Sequence, residues 1–235
     1  MTPSPAARSR TSNKSVRSRR QENLILTAER LFAEHGLDGV ALRQISAAAG
    51  NGNNSAVHYH FGSKESLVQA IFEYRLPALN ERRQELLDER DPDDLRGWVE
   101  CFILPIMELA ERRDSHYVTF VVQLRVSSLK YPFDRMPKPF VSFTNHFFDQ
   151  FRAQLPQLPE PLRSARIGHA LTSCLHASAD RERGRARKAP RLPFLVHSRD
   201  LVDGLVGFLD APVSNEALTA LEAAEIPTLR RHPIP

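Results

Sequence analysis

The amino-acid sequence predicts an all-α protein. Apolar residues recur every three or four positions along most of the 235-residue chain, which is the spacing of one face of a helix. No segment of useful length alternates apolar and polar residues, as a half-buried strand does. Glycines and capping residues stand between successive periodic segments, where helices end and begin. A chain of this length can form a small domain joined to a larger one.

The bulk composition is that of an ordinary globular protein, with 41% hydrophobic and 26% charged residues. No stretch approaches the roughly 20 apolar residues that cross a bilayer, and the N-terminal residues lack the apolar run of a secretory signal. We therefore expect a cytoplasmic protein without membrane contact. Cys101 and Cys174 lie within apolar segments, which predicts buried reduced thiols, with a redox switch as the alternative.

The positive charge is concentrated at the N-terminus. The first twenty residues contain six arginine and lysine residues and no acidic residue, although the whole chain has a net charge of only +4. Residues 1–17, in which proline, serine, arginine and threonine dominate, are predicted to form a disordered basic arm. Such an arm favours a polyanionic partner. A passive solubilising tail is the alternative.

A first helix is predicted from Ser18 to His35. Ser18 and Gln21 have the spacing of a capping box, which satisfies the free amides at a helix start. The apolar residues that follow share one helical face, and they are Leu24, Ile25, Ala28, Leu31 and Phe32. Gly36 ends the helix, as glycine commonly does.

Two short helices are predicted next, at about residues 41–49 and 54–60, with Gly50 between them. Asn53 or Asn54 is the expected N-cap of the second one, and Ser63 caps the longer helix that follows. A long helix followed by two short ones across a Gly/Asn-rich turn is the outline of a helix-turn-helix, whose second short helix can enter a major groove. We therefore assign residues 18–63 to a DNA-binding domain.

The remaining residues are predicted to form a larger helical body, residues 64–225, followed by a flexible tail, residues 226–235. The sequence Asp91-Pro92-Asp93-Asp94 starts one helix, because it places acids near the positive end of the helix dipole. Pro77 and Pro105 are expected to kink or break their helices. Further helices are predicted over 115–128, 140–155, 159–180, 194–210 and 214–224, with loops over 130–140 and the basic stretch 180–193.

Three sequence blocks occur in order within residues 20–75, namely AERLFAEHG, LRQISAAAG and YHFGSKESL. Together they resemble the DNA-binding domain of TetR/AcrR-type transcriptional regulators. The resemblance implies a homodimer with an N-terminal three-helix DNA-binding head and a larger helical body that binds a small ligand and dimerises. Residues 42–49 would be the positioning helix and residues 54–60 the recognition helix. Val40 and Ala41 depart from the family pattern, which has threonines at the start of the second helix.

The segment 51–67 is accordingly interpreted as a DNA-contacting surface. Short side chains let the backbone approach bases, asparagine and serine can read base edges, and a tyrosine hydroxyl or a lysine can bind phosphate. Val57, Phe61 and His60 are expected to face the core of the head. A metal site is disfavoured, because His58 and His60 are two residues apart and point away from each other on a helix. The predicted DNA-binding residues are Arg43, Asn53, Asn54, Ser55, Ala56, His58, Tyr59 and Lys64.

A stripe of phenylalanines runs along the predicted helix 140–155. A stripe at this spacing is usually core, and the alternative is that part of it lines a cavity for a hydrophobic or aromatic effector. The candidate ligand-binding residues are Trp98, Phe102, His116, Phe120, Leu124, Phe143 and Phe147.

The helices over 159–180 and 194–210 are predicted to form the dimer interface, since such a pair meets its copy as a four-helix bundle in the family that the chain resembles. The candidate interface residues are Leu171, Leu175, Leu201, Leu205 and Phe208. No nucleophile–base pair, phosphate-binding glycine loop or metal-ligand set occurs, so we expect neither an enzyme nor a cofactor. The predicted function is a repressor that binds a pseudo-palindromic double-stranded operator and is released by a small hydrophobic ligand. The alternative is a regulator of the same fold with no effector, or with cysteine redox sensing.

Overall fold

The computed structural model describes residues 5–50, 56–129 and 138–224, with side chains described from residue 19 in the first range and from residue 141 in the last. These residues form ten α-helices and no strand, which confirms the predicted all-α class. The helices are α1 Pro5–His35, α2 Leu42–Ala48, α3 Ala56–Phe61, α4 Lys64–Arg90, α5 Leu95–Glu111, α6 Tyr117–Val126, α7 Lys138–Gln154, α8 Glu160–Ala186, α9 Phe194–Asp210 and α10 Asn215–Ala223.

The described chain divides into two compact units. The first, here called the head, contains the residues up to Arg75 together with residues 123–129, and the second, the body, contains the remainder. Because α4 begins in one unit and ends in the other, this helix joins them covalently. None of the helices within the described ranges is long and apolar enough to span a bilayer.

The first helix starts earlier than its capping pattern predicted. α1 begins at Pro5 and not at Ser18, so residues 5–17, predicted to be a disordered arm, are helical here. Proline is well suited to the first position of a helix, because its fixed φ is helical and its missing N–H would be unbonded there. No glycine or proline lies between residues 6 and 35, so nothing in the sequence interrupts the helix once it has started.

One further prediction about helix ends is wrong. Residues 180–186 were assigned to a loop, yet α8 continues through Ala186, because Arg181 and Glu182 are themselves buried and not solvated. Pro77 and Pro105 lie inside α4 and α5, so neither proline breaks its helix, and the predicted kinks stay a prediction. The predicted cap at Ser63 and the predicted helix start at residues 91–94 are confirmed. The side-chain oxygens of Ser63 and Asp94 accept hydrogen bonds from the backbone amides of Ser66 and Gly97, at 3.1 and 2.7 Å.

Candidate functional site

The core of the head forms where α1, α2, α3 and the first part of α4 contribute apolar side chains. These side chains are buried and follow the helical spacing that the sequence predicted. They include Leu24, Ala28, Phe32, Ile45, Val57, Leu67, Val68 and Ile71.

The angle between the two short helices is fixed by polar contacts as well as by this core. The buried hydroxyl of Ser46 on α2 accepts a hydrogen bond from the backbone N–H of Val57 on α3, at 3.2 Å. Asn23 on α1 donates its side-chain amide to the carbonyl of Ala49 at the end of α2, at 2.9 Å. Gly50 follows with a φ of 69°, a left-handed conformation that glycine adopts without strain. These contacts hold α3 in one orientation relative to α1 and α2.

The short helix α3 presents two different faces. Val57 is fully buried, while Tyr59 is 78% exposed and His58 is also exposed. This arrangement confirms that Val57 points inward and that Tyr59 and His58 point outward. His60 and Phe61, which were expected in the core, share a helical face with Val57 but are only half-buried, because they lie at the end of the helix next to the exposed Gly62.

The structure describes some of the other residues that were predicted to contact DNA. Arg43 is exposed on α2 and Ala56 is half-buried at the start of α3. The start of α2 keeps one half of a capping box, because the Gln44 side chain accepts from the backbone N–H of Ala41 at 2.6 Å. Asn53, Asn54 and Ser55 lie outside the described residues.

Lys64 has a structural contact that the sequence did not indicate. Its ammonium group donates to the carbonyl of Leu37 at 2.7 Å, which ties the start of α4 to the connection between α1 and α2. The neighbouring Asp38 accepts from the hydroxyl and the backbone amide of Ser128, at 2.6 and 2.9 Å, and these hydrogen bonds lower the pKa of Asp38. Two of the three Lys64 N–H donors are not used by Leu37, so a phosphate contact stays a prediction.

A buried ion pair was also missed by sequence reasoning. Arg75 on α4 donates two hydrogen bonds to Glu29 on α1, at 2.7 and 2.8 Å. Both side chains are buried, with 7% and 1% of their surface exposed. The signal available in the sequence was the position of Glu29, which lies one turn after Ile25 and one turn before Ala33 on the apolar face of α1.

Comparison with known proteins identifies this head. Residues 24–71, which hold the helix-turn-helix, match the sequence model of the family described as bacterial regulatory proteins, tetR family. The N-terminal domain belongs to the tetR family. The match confirms the resemblance that the three sequence blocks indicated.

Two curated relatives of this chain are named as HTH-type transcriptional repressors. NicS of Pseudomonas putida is 31% identical over 86 residues, which cover 36% of this chain and 40% of NicS. KstR2 of Rhodococcus jostii is 39% identical over 129 residues, which cover 55% of this chain and 58% of KstR2. The chain therefore spans less than two thirds of the length of either relative. Proteins of the tetR family are regulators and not enzymes, and the two relatives support a DNA-binding regulator.

A solved structure gives a likeness over a larger share of the chain. The crystal structure of NalD, described as the secondary repressor of the MexAB-OprM multidrug efflux pump in Pseudomonas aeruginosa, has a TM-score of 0.50 and 22% identity. It covers 83% of this chain and 99% of NalD. At this identity the likeness shows the fold alone.

The body brings together most of the aromatic residues predicted to bind a ligand. Phe147 on α7 lies centrally, with ring centroids 5.8 Å from Trp98, 5.1 Å from Phe102 and 5.6 Å from Phe143. Phe120 is fully buried on α6, and its ring contacts Tyr117 at 6.2 Å. The two remaining candidates are His116, which is half-buried, and Leu124, which is buried within the head unit.

The predicted dimer residues fall into two groups. Leu171 and Leu175 on α8 and Leu205 on α9 are already buried within the single chain, and Leu201 is half-buried. Phe208 is 42% exposed, and its ring lies 6.4 Å from that of His169 on α8. The first group therefore packs α8 against α9, and Phe208 remains on the outer surface.

Both cysteines are buried in the body as free thiols. Burial raises the pKa of Cys174 to about 12 and also raises the pKa of Cys101. The thiolate is the reactive form of cysteine, so at neutral pH these thiols are almost entirely in the unreactive form. This environment disfavours the redox alternative.

Proposed function

We propose that this protein is a transcriptional repressor that binds a pseudo-palindromic operator as a homodimer and is released by a hydrophobic or aromatic small molecule. The observation that carries the proposal is the outward face of α3. Tyr59 is a large aromatic side chain left almost entirely in solvent, on a short helix whose opposite side is anchored by Val57 and Ser46. A rigidly held helix that presents a tyrosine and a histidine suits insertion into a major groove.

The charge around this helix supports contact with phosphates. Arg43 on α2 and Arg19 and Arg20 on α1 are exposed, and the preceding residues of the chain contain four more basic residues and no acid. Contacts of this kind position a protein on duplex DNA without reading its sequence. Residues 1–17 are proposed to add affinity in the same way. A protein that acts on chromosomal DNA is proposed to work in the cytoplasm.

Homodimerisation is supported by the outer surface of α9. Val196 and Phe208 are large apolar side chains that remain exposed in the single chain. A Cβ atom placed on Gly204 or Gly207 would meet no heavy atom of the described chain within 4 Å, so the helix backbone is open to close approach along this side. An exposed apolar surface with small residues suits a symmetric helix–helix interface.

Release by a ligand requires that the ligand favours a state with lower DNA affinity, through a coupling free energy of about 1–3 kcal/mol. The helix α4 is the proposed route, because it starts beside the recognition helix with Lys64 and continues into the body as one helix. The aromatic side chains around Phe147 are the proposed apolar contacts for the effector. The names of the two curated relatives favour repression over activation.

Replacing Tyr59 tests the proposed DNA surface. Tyr59→Ala is expected to weaken binding to a palindromic duplex by about 10-fold or more, because a hydrogen bond to a charged phosphate is lost from each protomer. The measurement is fluorescence anisotropy with a labelled duplex taken from the upstream region of the gene. The melting temperature should not change, since the side chain is exposed.

Tyr74→Phe is the matched control, because it removes another tyrosine hydroxyl from the head. The Tyr74 hydroxyl donates a hydrogen bond to Glu22 at 2.8 Å, and Tyr74 lies on α4 and not on α3. DNA affinity should be unaffected by this control. An affinity that Tyr59→Ala leaves unchanged would contradict the proposed surface.

A further inference from the structure

The body contains a buried arginine whose contacts within the described chain are to neutral groups. Arg83 on α4 is only 3% exposed. Its Nε donates to the carbonyl of Phe102 at 3.4 Å, and one Nη donates to the side-chain oxygen of Asn80 at 3.2 Å. No ion pair between described residues includes Arg83, although the adjacent Arg82 pairs with both Glu85 and Glu108.

Aromatic rings surround the guanidinium group. Its central carbon lies 4.1 Å from the ring centroid of Phe102 and 5.8 Å from that of Phe147. Burial lowers the pKa of Arg83 to about 10, so the group still carries its charge at neutral pH. A buried charge without a counter-charge is costly, because ring contacts replace only part of the lost hydration.

Acidic residues buried in the same unit are committed elsewhere. Glu100 pairs with Arg90, Arg96 and Arg199, and Glu182 accepts a hydrogen bond from the backbone of Thr119. The hydroxyl of Thr119 is also buried without a hydrogen-bond partner among the described residues. The body therefore buries a positive charge and a hydroxyl group that its own side chains leave unmatched.

We propose that Arg83 binds the carboxylate of an apolar carboxylic acid, whose hydrocarbon part lies against the rings of Phe102 and Phe147. Of the five N–H groups of a guanidinium, two donate to the neutral acceptors above, which leaves three on the Nη atoms. Two parallel N–H groups match the two oxygens of a carboxylate. The single positive charge is matched by a monoanion. This inference rests on the proposed ligand response and specifies the chemical class of the effector.

Paired compounds test the inference on the full-length protein. The probes are straight-chain acids of six to sixteen carbons and one- to three-ring aromatic acids, each compared with the primary amide of the same skeleton. Trp98 is the sole tryptophan, and its ring contacts Phe147, so its fluorescence reports binding near Arg83. At least one acid is expected to bind about 10- to 100-fold more tightly than its amide, and to release the operator.

Three variants separate a ligand contact from a structural role. Arg83→Met is expected to abolish the preference for acid over amide, and also to raise the melting temperature of the free protein by about 2–4 °C, because a buried unmatched charge is removed. Arg83→Lys should keep the preference with weaker binding, because it retains the charge but not the paired donors. Arg82→Met, the matched control, should leave the preference unchanged. If Arg83→Met does not fold, the inference is decided by Arg83→Lys, which should bind acids more weakly than the wild type and still prefer them to the amides.

The inference is wrong if acids and amides bind equally, or if Arg83→Met retains the preference of the wild type. Neutral compounds that bind and release the operator, while acids do not, would overturn the inference and leave the proposed ligand response intact. Binding of neither series would contradict both the inference and the ligand response. DNA binding by the head is measured separately and does not depend on this result.

Discussion

Arg75→Met is expected to destabilise the head by about 3–5 kcal/mol, because it removes the positive charge and the two hydrogen bonds that Arg75 gives to the buried Glu29 carboxylate. The two hydrogen bonds of this pair join α1 to α4, and the carboxylate of Glu29 is 1% exposed, so water cannot replace the lost donors. The measurement is urea unfolding followed by circular dichroism, together with hydrogen exchange of the amides in α1. Operator binding should be lost at temperatures where the head is unfolded.

Two further variants make this expectation specific. Arg30→Met, on the same helix, removes an exposed pair in which both side chains are 41% exposed, and should cost less than about 1 kcal/mol. The double variant Glu29→Leu/Arg75→Met should recover most of the stability, since hydrophobic replacements of a buried pair are often neutral or stabilising. A single variant Arg75→Met as stable as the wild type would contradict the role of the pair.

Glu182→Ala is expected to destabilise the body by about 2–4 kcal/mol. The buried carboxylate of Glu182 on α8 accepts the backbone N–H of Thr119 at 2.8 Å, in the first turn of α6. The first amides of a helix have no partner within it, and a negative charge there is favourable. Ser115 completes the cap, since its hydroxyl accepts from the N–H of Tyr117 at 3.2 Å. The alanine variant removes both the acceptor and the charge.

Thermal and urea unfolding of the body measure this effect. Glu182→Gln keeps an acceptor without the charge and should lose about half as much stability as the alanine variant. Asp180→Ala is the matched control on the same helix, because Asp180 is 74% exposed in its pair with Arg183, and should cost under about 1 kcal/mol. Equal effects of Glu182→Ala and Asp180→Ala would show that α6 does not depend on this contact.

The order and approximate limits of the helices could be predicted from the sequence because two local signals coincide. Apolar spacing defines the buried face, and a glycine or a capping side chain marks the end. Where both signals are present, as at Gly36 and Asp94, the predicted and observed ends agree closely. At Ser18 a capping pattern was present, but no glycine or proline interrupts the helix between residue 6 and Ser18. The predicted helix start at Ser18 was therefore wrong.

The buried charges could not be assigned from local patterns, because their partners are distant in sequence. The basic composition of residues 180–193 is typical of a solvated loop, yet Arg181 donates to Glu111 at 2.6 Å and belongs to a helix. The sequence does indicate that Arg83 and Glu29 are buried, since each charged residue lies at a position of its helix where the spacing predicts an apolar side chain. The sequence alone does not indicate which acid pairs with which base, or that Arg83 pairs with none in the described chain.

The sequence predicted which side chains of α3 face outward, but not the hydrogen bonds that hold this helix and the start of α4 in place. The sequence placed Tyr59 outward and Val57 inward, because a short helix beside a core has one buried side. It did not predict that Lys64 bonds to Leu37 or that Ser46 holds Val57, since both contacts depend on how the helices pack.

The central claim is that two copies of α3 enter successive major grooves on one side of duplex DNA. The most direct measurement is operator affinity as the distance between the two half-sites is changed one base pair at a time. Because half-sites lie about 10 base pairs apart on one side of the duplex, inserting about 5 base pairs should abolish binding at concentrations that saturate the original site. An affinity that does not depend on this spacing would contradict the claim.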